Sequence, residues 1–144
     1  MAHHCPAAVV TCEDFRLHRR ADGRDCIGEF IAGLGVDCDL ISGAGGIQDL
    51  VRPKSGFDDA LMRDLTVSVE LHEVKRIHLV NHEDCGAYAS LNLRSREVER
   101  EQHRGDMLEA RAMLEARFPG VAVSLYLASL RPGTADHYEI RPLE

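Results

Sequence analysis

Two short clusters in this chain combine residue types that can do chemistry at spacings that would let them act together. The first, Cys12-Glu13-Asp14-Phe15-Arg16, follows directly on the apolar run Ala7-Ala8-Val9-Val10-Thr11. The second, Asn81-His82-Glu83-Asp84-Cys85-Gly86, closes another such run. Alternate side chains of an extended chain share a face, so Cys12, Asp14 and Arg16 can point the same way. His82 and Cys85 are close enough in a tight turn to grip one metal ion, and Gly86 leaves the backbone room there. Two thiolates and an imidazole suit zinc, tetrahedral, with sulfur at about 2.3 Å and nitrogen at about 2.0–2.1 Å. Three protein ligands leave a fourth position for water or substrate, as in catalytic sites. The two thiolates also cancel the charge of the dication. The plainer reading is that H-x-x-C alone is a weak signal and that an isolated cysteine packs as a small buried hydrophobe.

These residues can meet only if the elements before them bring them to one rim. Ala7–Thr11 reads as a buried strand, and Cys26–Leu34 as a short helix closed by Gly33 or Gly35. Asp39–Ser42 reads as a second strand, ended by the glycine turn Ser42-Gly43-Ala44-Gly45-Gly46. Phe57, Leu61, Leu65 and Val69 recur at helical spacing and predict a helix over roughly 56–73, with Asp58 and Asp59 in its first turn, where the dipole favours them. Arg76–Asn81 is a third strand, Asn92–Phe118 one or two helices, and Val121–Leu130 a fourth strand. The densely charged stretch Arg94–Glu101 reads as a solvated face. His78 reads as a packed strand residue, and His72, His103 and His137 as surface residues. No role is assigned to the polar excursion Leu17–Asp25. Alternating strands and helices predict a single α/β domain spanning residues 1–144, with a largely parallel sheet of four to five strands flanked by helices. In such sheets ligands bind just past the carboxyl ends of the strands, where both clusters lie.

Composition narrows the function classes. The chain has 144 residues, 44% hydrophobic and 28% charged, the make-up of a folded domain with its own core. A net charge of −7 argues against nucleic-acid binding, which leans on a basic face. A locally positive pocket for a small anion stays compatible with it. No apolar run approaches the roughly 18 residues of a membrane span, and the N-terminus lacks the features of a secretory signal. Five scattered cysteines, an odd number, point to reduced thiols in a cytoplasm rather than a disulfide framework.

Taken together, C-x-D-x-R at Cys12, Asp14 and Arg16, the glycine turn after the second strand, the helix, and H-x-x-C-G at His82, Cys85 and Gly86 resemble the β-class carbonic anhydrases. The resemblance runs in register from about Val9 to Ala87. It implies a zinc ion held by Cys12, His82 and Cys85, and an Asp14–Arg16 dyad beside the open position. In that family the aspartate either assists the zinc-activated water or ligates the metal and shuts the site. The arginine decides between the two by drawing the carboxylate off the metal, and a bidentate Arg–carboxylate pair is strong and directional enough to do so. The implied activity is reversible hydration of carbon dioxide to bicarbonate in a cytoplasmic homo-oligomer. The alternatives are hydrolysis of carbon disulfide or carbonyl sulfide on the same site, or a non-catalytic zinc module with Asp14 as permanent fourth ligand. Phe15, Ala44 and Gly45 are candidate pocket residues. Phe15 and Glu13 are bulkier than the small residues common in that loop, which predicts a narrower or reshaped pocket. Only eleven residues precede Cys12, whereas relatives carry a longer arm that wraps a partner subunit.

Overall fold

The run Ala7–Thr11 is apolar on both of its alternating faces, so as a strand it must be covered on both sides. In a computed structural model, which describes residues 3–143, it forms β1 (Ala7–Thr11) and is buried along its whole length. Parallel partners flank it: β2 (Cys38–Ser42) on one side and β3 (Arg76–His82) on the other. β4 (Ala122–Leu130) pairs parallel with β3, and β5 (Tyr138–Pro142) pairs antiparallel with β4. The sheet order is β2-β1-β3-β4-β5.

Helices cover both faces. α1 (Cys26–Leu34) starts at Asp25, whose carboxylate accepts the Gly28 N–H at 2.9 Å, and stops at Gly35, which adopts φ 72°. With Leu17 and Tyr88 it covers the face that carries Val9, Val80 and Ala128. On the opposite face, α2 (Gln48–Val51), α3 (Phe57–Glu70) and α4 (Arg96–Arg117) pack Leu50, Leu65, Met107, Ala110 and Leu114 onto Ala8, Val10, Leu79 and Leu125. Ser95 caps α4 by accepting the Val98 N–H at 3.2 Å. Among the described residues no helix is long and apolar enough to cross a membrane.

The topology decides where a site can form. From β1 the chain crosses to β2 on one side and then to β3 on the other, so the crossovers diverge between the carboxyl ends of β1 and β3. That is the crevice in which open α/β sheets place their ligands. Thr11 lies level with Val80, which puts Cys12 one step past β1 and beside the end of β3.

The expected strands and helices are present to within a few residues, and Asn92–Phe118 resolves into one helix that begins later, at Arg96. Among the described residues, one α-helix and one strand were not expected. α2 follows the glycine turn directly and is too short to show periodicity. β5 is a five-residue alternating segment ending in proline, tolerable only at a sheet edge. The surface reading also fails at three places. His103 is fully buried beneath Tyr88, Glu99 is buried within the charged stretch, and His72 is half-buried, with Nδ1 2.7 Å from Asp39. Each had the composition of a polar helix face or turn, but tertiary partners cover it.

Candidate metal centre

Three donor atoms converge in the crevice. Sγ of Cys12, Sγ of Cys85 and a ring nitrogen of His82 lie within 4.8 Å of one another, and all three residues are buried. The sulfurs are 3.9 Å apart, far from a disulfide and close to the roughly 3.8 Å that two tetrahedral Zn–S bonds would impose. His82 Nδ1 lies 2.8 Å from the Glu83 carbonyl, a pairing that assigns the proton to Nδ1. The Tyr138 hydroxyl donates to that carbonyl at 2.8 Å and packs its ring edge-on against His82, with centroids 5.4 Å apart. His82 Nε2 is thereby left as a lone-pair acceptor, buried and without a hydrogen-bond partner. An orphaned buried acceptor beside two thiols is costly unless something coordinates it. The donor set therefore fits a zinc ion.

The thiols are already poised as ligands. The hydrogen bond from Cys85 is the main reason the Cys12 thiol falls to about 4, and His82 and the Gly45 N–H, 3.4 Å from the sulfur, add to it. The same hydrogen bond, together with burial, pushes Cys85 up. The pair thus shares one proton, which a dication would displace. Gly45 makes its approach at φ 77°, and a Cβ there would fall 2.8 Å from Gln48 Oε1 and 3.1 Å from Ala87.

Beside the three donors lies the carboxylate of Asp14, with Oδ2 4.0 Å from His82 Nε2. It is turned toward Arg16, which donates from Nε at 3.0 Å and from Nη2 at 2.8 Å, while the Arg16 backbone N–H donates at 2.9 Å. The guanidinium hydrogen bonds, above all, hold Asp14 at about 2. Arg16 has no idle donor. Its remaining N–H groups go to the Asp84 carboxylate, the Asp84 carbonyl and the Ala135 carbonyl, each at 3.0 Å, and its guanidinium lies over the Tyr138 ring.

Several supporting residues were not visible in the sequence. Asp84 adopts φ 57°, and its N–H is accepted by the buried Glu99 carboxylate, which Arg96 also pairs at 2.7 Å. Glu83 is 2% exposed and bonded by Arg100 at 2.9 Å, so both acids of the H-x-x-C loop are tied to α4. Beneath the loop, Tyr88 donates to Asp106 at 2.8 Å, Arg52 pairs with the same carboxylate, and Asn81 bridges Tyr88 and His103. Among these, Glu83 and Asp84, inside the motif itself, carried a positional signal. His18 points its Nε2 at the Cys12 carbonyl, 2.7 Å away, which engages it with the backbone. Ala44 lines a cavity of about 270 Å³ with Gln48, Arg52 and Ala87. Phe15, expected in the pocket wall, is 67% exposed with its ring under the Arg20 guanidinium.

A family model described as "Putative carbonic anhydrase" matches residues 2–130. An uncharacterized protein of Rickettsia bellii (strain RML369-C) is 30% identical over 141 residues, covering 94% of this chain and 84% of its own. The structure of a beta-carbonic anhydrase isoform I from Trichomonas vaginalis superposes with a TM-score of 0.56 at 17% identity, covering 99% of this chain and 84% of that one. The apo form of a carbon disulfide hydrolase superposes with a TM-score of 0.55 at 17% identity, covering 94% and 82%. At these identities the structural likeness establishes the fold, which is that of the β-carbonic anhydrases.

Proposed function

The chain belongs to the Putative carbonic anhydrase family, and from that premise we propose that it catalyses the reversible hydration of carbon dioxide to bicarbonate, with zinc held by Cys12, His82 and Cys85. The observation that carries the reading is the unpartnered Nε2 of His82 facing two thiols, with the Asp14 carboxylate 4.0 Å away and held back by Arg16. Bound there, zinc would supply the Lewis acidity that makes water a nucleophile near neutral pH.

The chain's own residues do the rest. Cys12 and Cys85 bring two negative charges that offset the dication in a buried setting. The Glu83 carbonyl fixes the ring of His82 and keeps its proton on Nδ1. Asp14, ionised through the neutral range, accepts a hydrogen bond from the reacting water and so orients it toward the carbon of the substrate. Arg16 keeps Asp14 in that role and off the metal. We place this activity in the cytoplasm, where the five free thiols stay reduced, and in a homo-oligomer.

The two alternatives draw less support. The sulfur-compound hydrolase reading shares the fold, but its residue-level argument needed Phe15 to narrow the pocket, and Phe15 faces outward. The non-catalytic module needs Asp14 as a permanent ligand, whereas both carboxylate oxygens accept from Arg16. Stopped-flow hydration of carbon dioxide, on protein of measured zinc content from about pH 6.5 to 9, tests the proposal. A rate that follows zinc content and rises with pH is expected. Fully loaded protein that is silent at the alkaline end overturns it.

A further inference from the structure

The polar excursion between Leu17 and Asp25 does not reach the donor atoms, yet it is well built. Arg20 and Arg24 close a tight turn, with Arg20 N–H donating to the Arg24 carbonyl at 2.8 Å and Gly23 N–H returning to Arg20 at 2.9 Å. Asp22 accepts from Arg24 Nε at 2.8 Å. Both guanidinium groups then leave the turn for one carboxylate oxygen on a distant segment: Asp136 Oδ2 accepts from Arg20 Nη1 at 2.9 Å and from Arg24 Nη2 at 3.1 Å. Asp136 lies in the loop between β4 and β5, where Arg131 N–H donates to the His137 carbonyl at 2.8 Å and Thr134 folds back on Arg131.

The residue before Asp136 is Ala135, whose carbonyl takes one of the five N–H bonds of Arg16. Two of those bonds go to Asp14, two to Asp84 and one to this loop. Arg16 can hold Asp14 in the bidentate geometry only while its guanidinium plane is fixed, and the Ala135 carbonyl is the one fixing acceptor that lies outside the two clusters. A loop left free would not keep that carbonyl in place. The two arginines of the excursion seat it.

We propose that Asp136 is a positioning residue: clamped by Arg20 and Arg24, it seats the Ala135 carbonyl on Arg16 and so biases Asp14 away from the metal. This rests on the metal site of the preceding section and assigns the excursion its role in it. The excursion and the β4–β5 loop together act as a latch on the dyad. Releasing the latch lets Arg16 tilt, and the freed carboxylate of Asp14 then competes for the fourth position.

The test is azide binding to the cobalt(II)-substituted full chain, followed by the visible absorption of the metal, with metal content measured in parallel. Asp136→Asn should retain stoichiometric cobalt and bind azide about tenfold more weakly, the scale of losing two partly exposed ion pairs. Arg20→Gln, which attacks the same latch from the other side, should weaken azide in the same direction. In an Asp14→Asn background, where no carboxylate can close the site, Asp136→Asn should leave azide affinity unchanged. Azide affinity indifferent to both Asp136→Asn and Arg20→Gln, on protein that binds cobalt, would overturn the latch alone. An equal loss in the Asp14→Asn background would overturn it too, by showing general disruption. Wild-type protein that takes up no cobalt would overturn the metal reading and the latch with it.

Discussion

In the proposed reaction, Cys85 and Arg16 separate metal binding from chemistry. Cys85 contributes one of the two sulfurs, which stand 3.9 Å apart, and a serine hydroxyl there is a poor substitute for a thiolate. Cys85→Ser should therefore lose stoichiometric zinc; a metal assay that finds one zinc per chain would refute the ligand set. Arg16 touches no donor atom but fills both oxygens of Asp14. Arg16→Ala should keep zinc and free Asp14 to close the site, lowering carbon dioxide hydration by about 10–100-fold, the usual cost of losing an outer-shell partner. Unchanged turnover in that variant would exclude the dyad. The three candidate ligands and the Asp14–Arg16 pair were all legible as residue types. The orphaned nitrogen of His82 was not, because its tautomer depends on a carbonyl and a tyrosine placed by other elements.

At the scale of elements, the loop that carries His82 and Cys85 stands on α4 and the segment before it. Asp106 on α4 accepts from Arg52, Tyr88 and Gln102, tying that helix to α2 and to the turn after Cys85. Burial pushes the Asp106 carboxyl up, but the hydrogen bonds from Arg52, Tyr88 and Gln102 outweigh it and leave it below its ordinary 3.8. A carboxylate depressed in the folded state stabilises above its unfolded value, and the contribution fades as pH falls through the folded one. Asp106→Asn should thus cost about 2 kcal/mol at neutral pH, a figure below that of fully buried pairs because Arg52 is partly exposed. The gap between variant and wild type should narrow as urea unfolding is repeated below pH 3.8. A gap independent of pH would show that the carboxylate's charge plays no part. Periodicity could reveal α4 as a helix, but not that Glu99, His103 and Asp106 turn inward, since a polar helix face hides its buried members until partners are known.

For the whole molecule, the sheet holds the crevice in register. Leu79, fully buried on β3 between two neighbouring parallel strands, belongs to the core beneath α3 and α4. Leu79→Ala should cost about 2–5 kcal/mol in urea unfolding, with an unchanged slope if the transition stays two-state. A loss well under 1 kcal/mol would mean that the core collapses around the gap. The same register places Cys12 beside the end of β3, so a core defect should loosen the site only through global stability.

The amino-acid order determined the alternation of strands and helices, the parallel sheet and the two chemical clusters, because apolar periodicity and motif spacing are local and survive in one dimension. Only the tertiary structure decided that β5 returns Tyr138 to His82, that Glu99 and Arg100 of α4 hold the loop of His82 and Cys85, and that an excursion without apparent purpose reaches Asp136. Those contacts join residues many positions apart. Their energy comes from burial and from partners that exist only once the chain has closed on itself.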